Sequence, residues 1–181
     1  MLILGIDPGS LATGWGLIKC HGNKINYLAS GVLKFDKKAE FNNRLLEIRT
    51  KLESLLIYIE PDEVAMESLI YVKSPTSLIK LAQARGVILS VLLEKYQNKI
   101  FEYSPNLVKS TAVGHGHADK VSVQKFLNTL IGPRDYETHD ESDALAVAIC
   151  HFFNKDNQIQ KPKTSKAAAR GLSASLMHKI G

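Results

Sequence analysis

The chain has few cysteines and lacks long uninterrupted apolar runs. Cys20 and Cys150 are its only cysteines, and two isolated thiols argue against a disulfide framework or a zinc site and indicate a reducing compartment. No apolar stretch approaches the roughly 20 residues that a membrane-spanning helix needs. The N-terminus has no basic segment before its short apolar run, and Asp7 interrupts that run, so we expect no signal peptide. These absences predict a cytoplasmic protein that does not associate with a membrane.

Nucleotide-binding motifs are also missing. No Walker A sequence is present, so a P-loop motor is not predicted. The sequence GHGH at 114–117 lacks the full G-x-G-x-x-G pattern and follows a predicted helix, so it is not a dinucleotide fingerprint. We interpret His115 and His117 as part of a polar turn, with a position near a nucleic acid as the alternative.

Charge divides the chain into two parts. The last 27 residues, 155–181, carry six basic side chains against Asp156 alone, which accounts for the whole net charge of +5. Residues 1–154 are formally neutral, and their apolar content suits one folded domain. The basic tail is typical of an electrostatic nucleic-acid contact, and a solvated, flexible terminus is the alternative.

Hydrophobic periodicity predicts five strands and five helices. The strands are predicted at 2–7, 14–20, 25–34, 63–67 and 99–103. The helices are predicted at 41–59, 76–97, 105–112, 120–130 and 141–153. Three leading strands followed by alternating helices and strands indicate an α/β domain with a mixed sheet.

Four carboxylates stand where predicted elements end or begin. Asp7 ends the first apolar strand, Glu67 ends the fourth, and Asp140 and Asp143 open the last helix. A carboxylate at the end of a buried strand is costly to desolvate, and a divalent cation is the usual compensation. Taken singly, each acid has a structural explanation in a turn, a strand end or a helix cap. Together they predict a metal site for phosphodiester chemistry.

These residues carry a family resemblance. The segments GIDPGS at 5–10 and TGWG at 13–16, Glu67, LAQARG at 81–86, and DESDALA at 140–146 resemble, in order, the Holliday-junction resolvases of the RuvC family. The resemblance spans roughly residues 1–154. It implies a ribonuclease-H-like fold with a mixed five-stranded sheet flanked by helices.

The resemblance also implies roles for individual residues. Asp7, Glu67, Asp140 and Asp143 would bind the catalytic metals, Mg²⁺ or alternatively Mn²⁺, as two ions in each site. Lys109 and Lys120 match positions near the scissile phosphate, where a positive charge stabilises the transition state. We expect DNA contacts from a further group of side chains: Tyr71, Lys73, Lys80 and Arg85.

Two departures from the family pattern stand out. Ile70 occupies the position at which the family often has an aromatic residue that stacks into the opened junction. Tyr71 is adjacent and is a candidate replacement, since aromatic rings stack on unpaired bases. Glu141 stands where the family usually has a small residue, and the neighbouring His139 is another candidate participant.

The function implied by the resemblance is metal-dependent, structure-selective cleavage of four-way DNA junctions. A homodimer would make paired symmetric nicks during recombination and repair, in cooperation with a branch-migration complex of the RuvA and RuvB type. Two alternatives remain at this stage. Asp7-x-Gly9 with Gly14 also resembles the phosphate-binding hairpin of actin-like kinases, although the chain is too short for their duplicated domain. A junction-binding module without catalysis is the other alternative.

Overall fold

The computed structural model describes residues 1–69, 74–113 and 120–159, with the backbone alone described at Val113, Lys120 and 157–159. Its strands are β1 (Leu2–Asp7), β2 (Ala12–His21), β3 (Lys24–Lys34), β4 (Glu63–Glu67) and β5 (Ile100–Tyr103). Its helices are α1 (Phe41–Tyr58), α2 (Pro75–Tyr96), α3 (Pro105–Val113), α4 (Lys120–Ile131) and α5 (His139–Ile159). The predicted elements are all present. The largest difference is α5, which continues into the predicted tail because no glycine or proline interrupts the chain before Pro162.

The five strands form one mixed sheet in the order β3-β2-β1-β4-β5. The neighbours β1, β2 and β3 are antiparallel, whereas β4 runs parallel to β1 and β5 runs parallel to β4. The mixed five-stranded sheet predicted from the sequence is therefore confirmed. Strand β1 lies at its centre, so the residue that ends β1 has sheet neighbours on both sides.

Alternation along the strands assigns each residue to one of two cores. On β1, Leu4 and Ile6 pack in the core that contains residues of α1 and α2, whereas Ile3 packs in the core that contains residues of α5. Because successive side chains point to opposite faces of a sheet, Asp7 lies on the α5 face with Ile3. The same alternation on β4 puts Ala65 in the α5 core, and therefore places Glu63 and Glu67 on that face as well.

Helix α5 lies against the sheet at van der Waals distance because glycines face it. A Cβ added to Gly5 would stand 2.0 Å from the carbonyl oxygen of Ala144, and one added to Gly14 would stand 1.9 Å from that of Asp140. Because β2 begins at Ala12, Gly14 lies inside the strand, where its missing side chain makes room for the helix.

Helix α2 corrects the expectation about apolar length. Its 22 residues are long and apolar enough to cross a membrane by length and composition, and 28% of its most apolar 18 residues are buried within the chain. The buried face includes Ile88 and Leu92, which pack in the core shared with α1. Much of the helix therefore presents apolar surface that the described residues do not cover.

Candidate active site

Asp7 and Glu67 lie side by side at one edge of the sheet. Each is the last residue of its strand, and β1 and β4 are parallel neighbours with Ile6 opposite Met66. The next residues along this register are the two acids. Adjacent strands are about 4.8 Å apart, and both side chains point to the α5 face, so the strand ends bring two carboxylates together.

The first turn of α5 adds two further acids at this edge. The backbone of Asp140 lies against Gly14, and Gly14 is the residue paired with Asp7 across β1 and β2. Asp143 follows one helical turn later, and residues three apart in a helix are neighbours on its surface. The helix start is thus placed beside the end of β1, as the sequence pattern predicted.

Electrostatic coupling identifies which groups face Glu67. Burial raises the pKa of Glu67 to about 7, the negative charge of Asp143 acts in the same direction, and Lys109 acts in the opposite direction. Two carboxylates and one ammonium group from β4, α5 and α3 therefore lie within interaction range. A glutamate with its pKa close to neutrality, opposite a second carboxylate, is typical of a functional site.

The donor chemistry of this site suits a hard divalent cation. The predicted ligands are all carboxylates, which Mg²⁺ and Mn²⁺ prefer, and a cation would relieve the repulsion between Glu67 and Asp143. Among the residues that the structure describes, no group of three or more His, Cys, Asp and Glu side chains is gathered closely enough to hold a metal by itself. The site is therefore defined by adjacent strand ends and by charge coupling, and the roles predicted for its four acids stay predictions.

Glu141 and His139 have different positions from the acids beside them. Glu141 is 7% exposed, and its carboxylate accepts hydrogen bonds from the Ser30 hydroxyl and from the backbone N–H of Glu137. Sequence reasoning noticed Glu141 as a departure from the family pattern and did not predict its partners. His139 is exposed, and its carbonyl accepts a hydrogen bond from Ser142.

The predicted DNA-contacting residues fall into three groups. Lys80 is exposed, with its ammonium 5.8 Å from the centre of the Phe41 ring. Arg85 is only 5% exposed and forms an ion pair with Glu102 at 2.9 Å, so its position does not support a DNA contact. The remaining predictions lie outside the described side chains: Tyr71, Lys73, Lys120, His115, His117 and residues 160–181.

A second polar cluster, which sequence reasoning missed, lies at the other end of β4. His151 is fully buried on α5; its Nε2 is 2.8 Å from a Glu63 carboxylate oxygen and its Nδ1 is 2.7 Å from the Tyr103 hydroxyl. Burial lowers the pKa of His151, although the Glu63 hydrogen bond opposes this effect. The imidazole is therefore neutral at pH 7, donating to Glu63 through Nε2–H and accepting from Tyr103. A histidine within the apolar end of α5 was the available sequence signal.

Comparison with known proteins identifies the family. The family model described as crossover junction endodeoxyribonuclease RuvC matches residues 3–151. The chain is 38% identical to the crossover junction endodeoxyribonuclease RuvC of Rhodopseudomonas palustris, over 91% of this chain and 94% of the relative. It is 36% identical to the RuvC of Allorhizobium ampelinum, over 86% and 92% of the two chains.

Solved structures agree with this assignment. Thermus thermophilus RuvC in complex with a Holliday junction substrate superimposes with a TM-score of 0.79 at 27% identity, covering 87% of this chain and 96% of that one. The yeast mitochondrial Holliday junction resolvase Ydc2, at 14% identity and a TM-score of 0.61, shares the fold. The chain therefore belongs to the RuvC family of crossover junction endodeoxyribonucleases, the ribonuclease-H-like nucleases that resolve Holliday junctions in DNA recombination and repair.

Proposed function

We propose that Asp7, Glu67, Asp140 and Asp143 bind two Mg²⁺ ions in each active site and that the protein uses them to nick four-way junction DNA. The observation that carries this proposal is the opposition of Glu67 and Asp143 beside the strand end that bears Asp7. The pKa of Glu67 is raised to about 7 by burial and by Asp143. Two opposed carboxylates, one of them buried, raise the free energy of the folded chain when no cation is present, and a bound cation offsets that cost.

The residues of the site divide the chemistry between them. When bound, the metal ions activate a water molecule and stabilise the leaving oxygen of the phosphodiester. The carboxylates hold and orient that site, and no side chain needs to form a covalent bond to DNA. Lys109 lies close enough to Glu67 to oppose part of the rise in the pKa of Glu67. The Lys109 ammonium therefore lies near the acid site, where it can stabilise the negative charge that develops on the phosphate. Lys120, which begins α4, is proposed to act with Lys109.

We also propose that the protein is a homodimer that pairs through α2. Exposed apolar side chains on this helix include Ile79 and Leu93, at 59% and 44% exposure. A Cβ added to Gly86 would meet no atom within 4 Å, so this point on the exposed surface leaves room for a partner helix. A two-fold dimer matches two equivalent strands of a junction.

Replacing Gly86 with Trp should weaken dimerisation at least about tenfold in sedimentation experiments, while Gly22→Asn, at an open turn, should leave dimerisation unchanged.

Four-way junction DNA is the proposed substrate, and a branch-migration complex of the RuvA and RuvB type is the proposed partner, in the cytoplasm. The basic residues of the C-terminal tail, 155–181, support an electrostatic contribution of the tail to junction binding. Deleting 160–181 removes five basic side chains and no acidic one. The deletion should make the plot of log binding constant against log salt less steep, by up to about 0.9 for each phosphate that the tail neutralises. Junction affinities measured between 50 and 200 mM salt check this, and identical slopes would make the tail a passive extension.

Strand cleavage of a synthetic four-way junction tests the central proposal. Wild-type protein with Mg²⁺ should make paired symmetric nicks, and EDTA should abolish them. Asp7→Asn should slow cleavage by about 1,000-fold, because it removes a metal ligand worth roughly 4 kcal/mol of transition-state stabilisation with little change of shape. Junction binding in EDTA should be preserved in that variant. Normal turnover by Asp7→Asn would contradict the assignment, and binding without cleavage by the wild type would favour a junction-binding module.

A further inference from the structure

Glu141 is a buried carboxylate in the first turn of α5, beside Asp140, yet both of its oxygens accept hydrogen bonds from groups outside the acid site. It follows Asp140 directly, and one residue along a helix turns the side chain by about 100°. Its Oε1 accepts from the Ser30 hydroxyl on β3 at 2.5 Å, and its Oε2 accepts from the backbone N–H of Glu137 at 2.6 Å. Charge-assisted hydrogen bonds of this length are among the stronger polar contacts in proteins. Glu141 therefore joins the first turn of α5 to an outer strand and to the preceding loop.

The contact continues beyond Ser30. The Tyr27 hydroxyl lies 3.1 Å from Ser30 Oγ. A serine has one hydroxyl proton, which Ser30 gives to the carboxylate, so Tyr27 must be the donor in this pair. The Arg134 guanidinium stacks 3.5 Å from the centre of the Tyr27 ring and donates to the carbonyl of Ile131 at the end of α4. One connected set of contacts thus spans β3, the end of α4, the loop before α5 and the start of α5.

These contacts give the helix start a second attachment to the sheet, one strand away from its closest contact. The backbone of Asp140 lies against Gly14 on β2, where an added Cβ would be 1.9 Å from the Asp140 carbonyl oxygen, and Glu141 bonds to Ser30 on the neighbouring strand β3. With two attachments to adjacent strands, the first turn has little freedom to rotate or slide. Because Asp143 lies one turn further along, its position relative to Glu67 depends on this constraint.

We propose that Glu141 and Ser30 form a positioning clamp that presets Asp140 and Asp143 and thereby sets the affinity of the site for a divalent cation. Neither residue touches DNA or metal in this role; both act through the backbone of α5. The inference rests on the proposed function of the acid site. Groups that orient metal ligands without binding the metal typically contribute about 10- to 100-fold in affinity.

Direct Mn²⁺ binding to the full-length protein, measured calorimetrically, tests the clamp. Glu141→Gln preserves shape but replaces one acceptor oxygen with a donor, and Ser30→Ala removes the hydroxyl alone. Each should weaken Mn²⁺ binding by about tenfold. The Mn²⁺ concentration that gives half-maximal junction cleavage should rise by the same factor, while the rate at saturating metal stays within about threefold of wild type. Ser54→Ala is the matched control, since the Ser54 hydroxyl donates to the Thr50 carbonyl within its own helix α1.

A double substitution, Ser30→Ala with Glu141→Ala, removes both partners and avoids leaving either one unpaired. A shared loss of Mn²⁺ affinity in these variants, absent from Ser54→Ala, supports the clamp. Wild-type Mn²⁺ affinity in folded Glu141→Gln and Ser30→Ala overturns it, even if both unfold at lower temperature. If Glu141→Gln does not fold, the Mn²⁺ affinities of Ser30→Ala and Tyr27→Phe decide between these outcomes. A wild type that binds Mn²⁺ but never cleaves a junction contradicts the proposed function instead.

Discussion

Strand β4 begins with Glu63 and ends with Glu67, and both glutamates face α5, yet their surroundings differ. Glu63 meets His151, whose two ring nitrogens both have partners. Glu67 meets the negative charge of Asp143, with Lys109 as the compensating group. The same helix supplies both partners, with His151 two helical turns beyond Asp143.

The difference separates a cluster that stabilises the fold from one arranged for chemistry. At the Glu63 end, a neutral imidazole satisfies a buried donor and acceptor, which makes burial tolerable. At the Glu67 end, burial and a like charge both disfavour ionisation. The folded chain maintains that unfavourable arrangement because α5 is fixed by its buried apolar face. Its residues Ala144, Leu145, Val147, Ala148, Ile149 and Cys150 have no exposed surface.

Among substitutions that leave the four acids in place, the largest effect that distinguishes the two ends is expected at Lys109. Replacing Lys109 with Met should slow junction cleavage by about 100-fold, since it removes a positive charge near the reacting phosphate. The pKa of Glu67 should rise further, because Lys109 opposes the effects of burial and Asp143. Single-turnover cleavage at saturating Mg²⁺ measures the loss. Lys99→Met, an exposed lysine preceding β5 near Glu63, is the control and should cleave like wild type.

A smaller effect, on stability alone, is expected at the Glu63 end. Tyr103→Phe leaves the buried Nδ1 of His151 without its donor, which should lower the free energy of unfolding by about 1–2 kcal/mol. Urea unfolding measures this change, and Tyr58→Phe, 87% exposed on α1, should have no effect. Cleavage should stay within about threefold of wild type. A loss of cleavage as large as that of Lys109→Met would show that the two clusters are not separate.

The smallest effect is a dependence of stability on pH. Burial lowers the pKa of His151 below its unfolded value of about 6.5, so the unfolded chain binds the proton more readily. The contribution of His151 is therefore complete above pH 6.5 and is lost as pH falls from 6.5 through the lowered folded pKa. The stability difference between wild type and His151→Gln should narrow between pH 7.5 and 5.5, measured by urea unfolding. A constant difference would contradict a neutral, buried imidazole.

The secondary structure followed from local patterns, whereas the polar contacts depended on tertiary packing. Short apolar runs located β1 and β4, and the acids at their ends were recognisable because carboxylates seldom end buried strands without a partner. Periodicity alone did not reveal that Arg85 faces inward to Glu102, because one charged residue on an apolar helix fits either face. The most distant partners of Glu141 and His151 are 111 and 88 positions away, at Ser30 and Glu63. Contacts at such separations are set by sheet order and not by neighbouring sequence.

The matched substitutions Glu63→Gln and Glu67→Gln test the account most directly, since they make the same chemical change at the two ends of one strand. Each is measured for Mg²⁺-dependent junction cleavage and for unfolding in EDTA. Glu67→Gln should lose cleavage by about 1,000-fold. Its metal-free stability relative to wild type should improve as pH rises from 4.5 to about 7, because the raised pKa of Glu67 stabilises the wild-type fold fully below pH 4.5 and that contribution is lost as pH rises to the folded pKa. Glu63→Gln should retain cleavage and unfold more easily. Loss of cleavage in Glu63→Gln with full activity in Glu67→Gln would contradict the assignment of the active site.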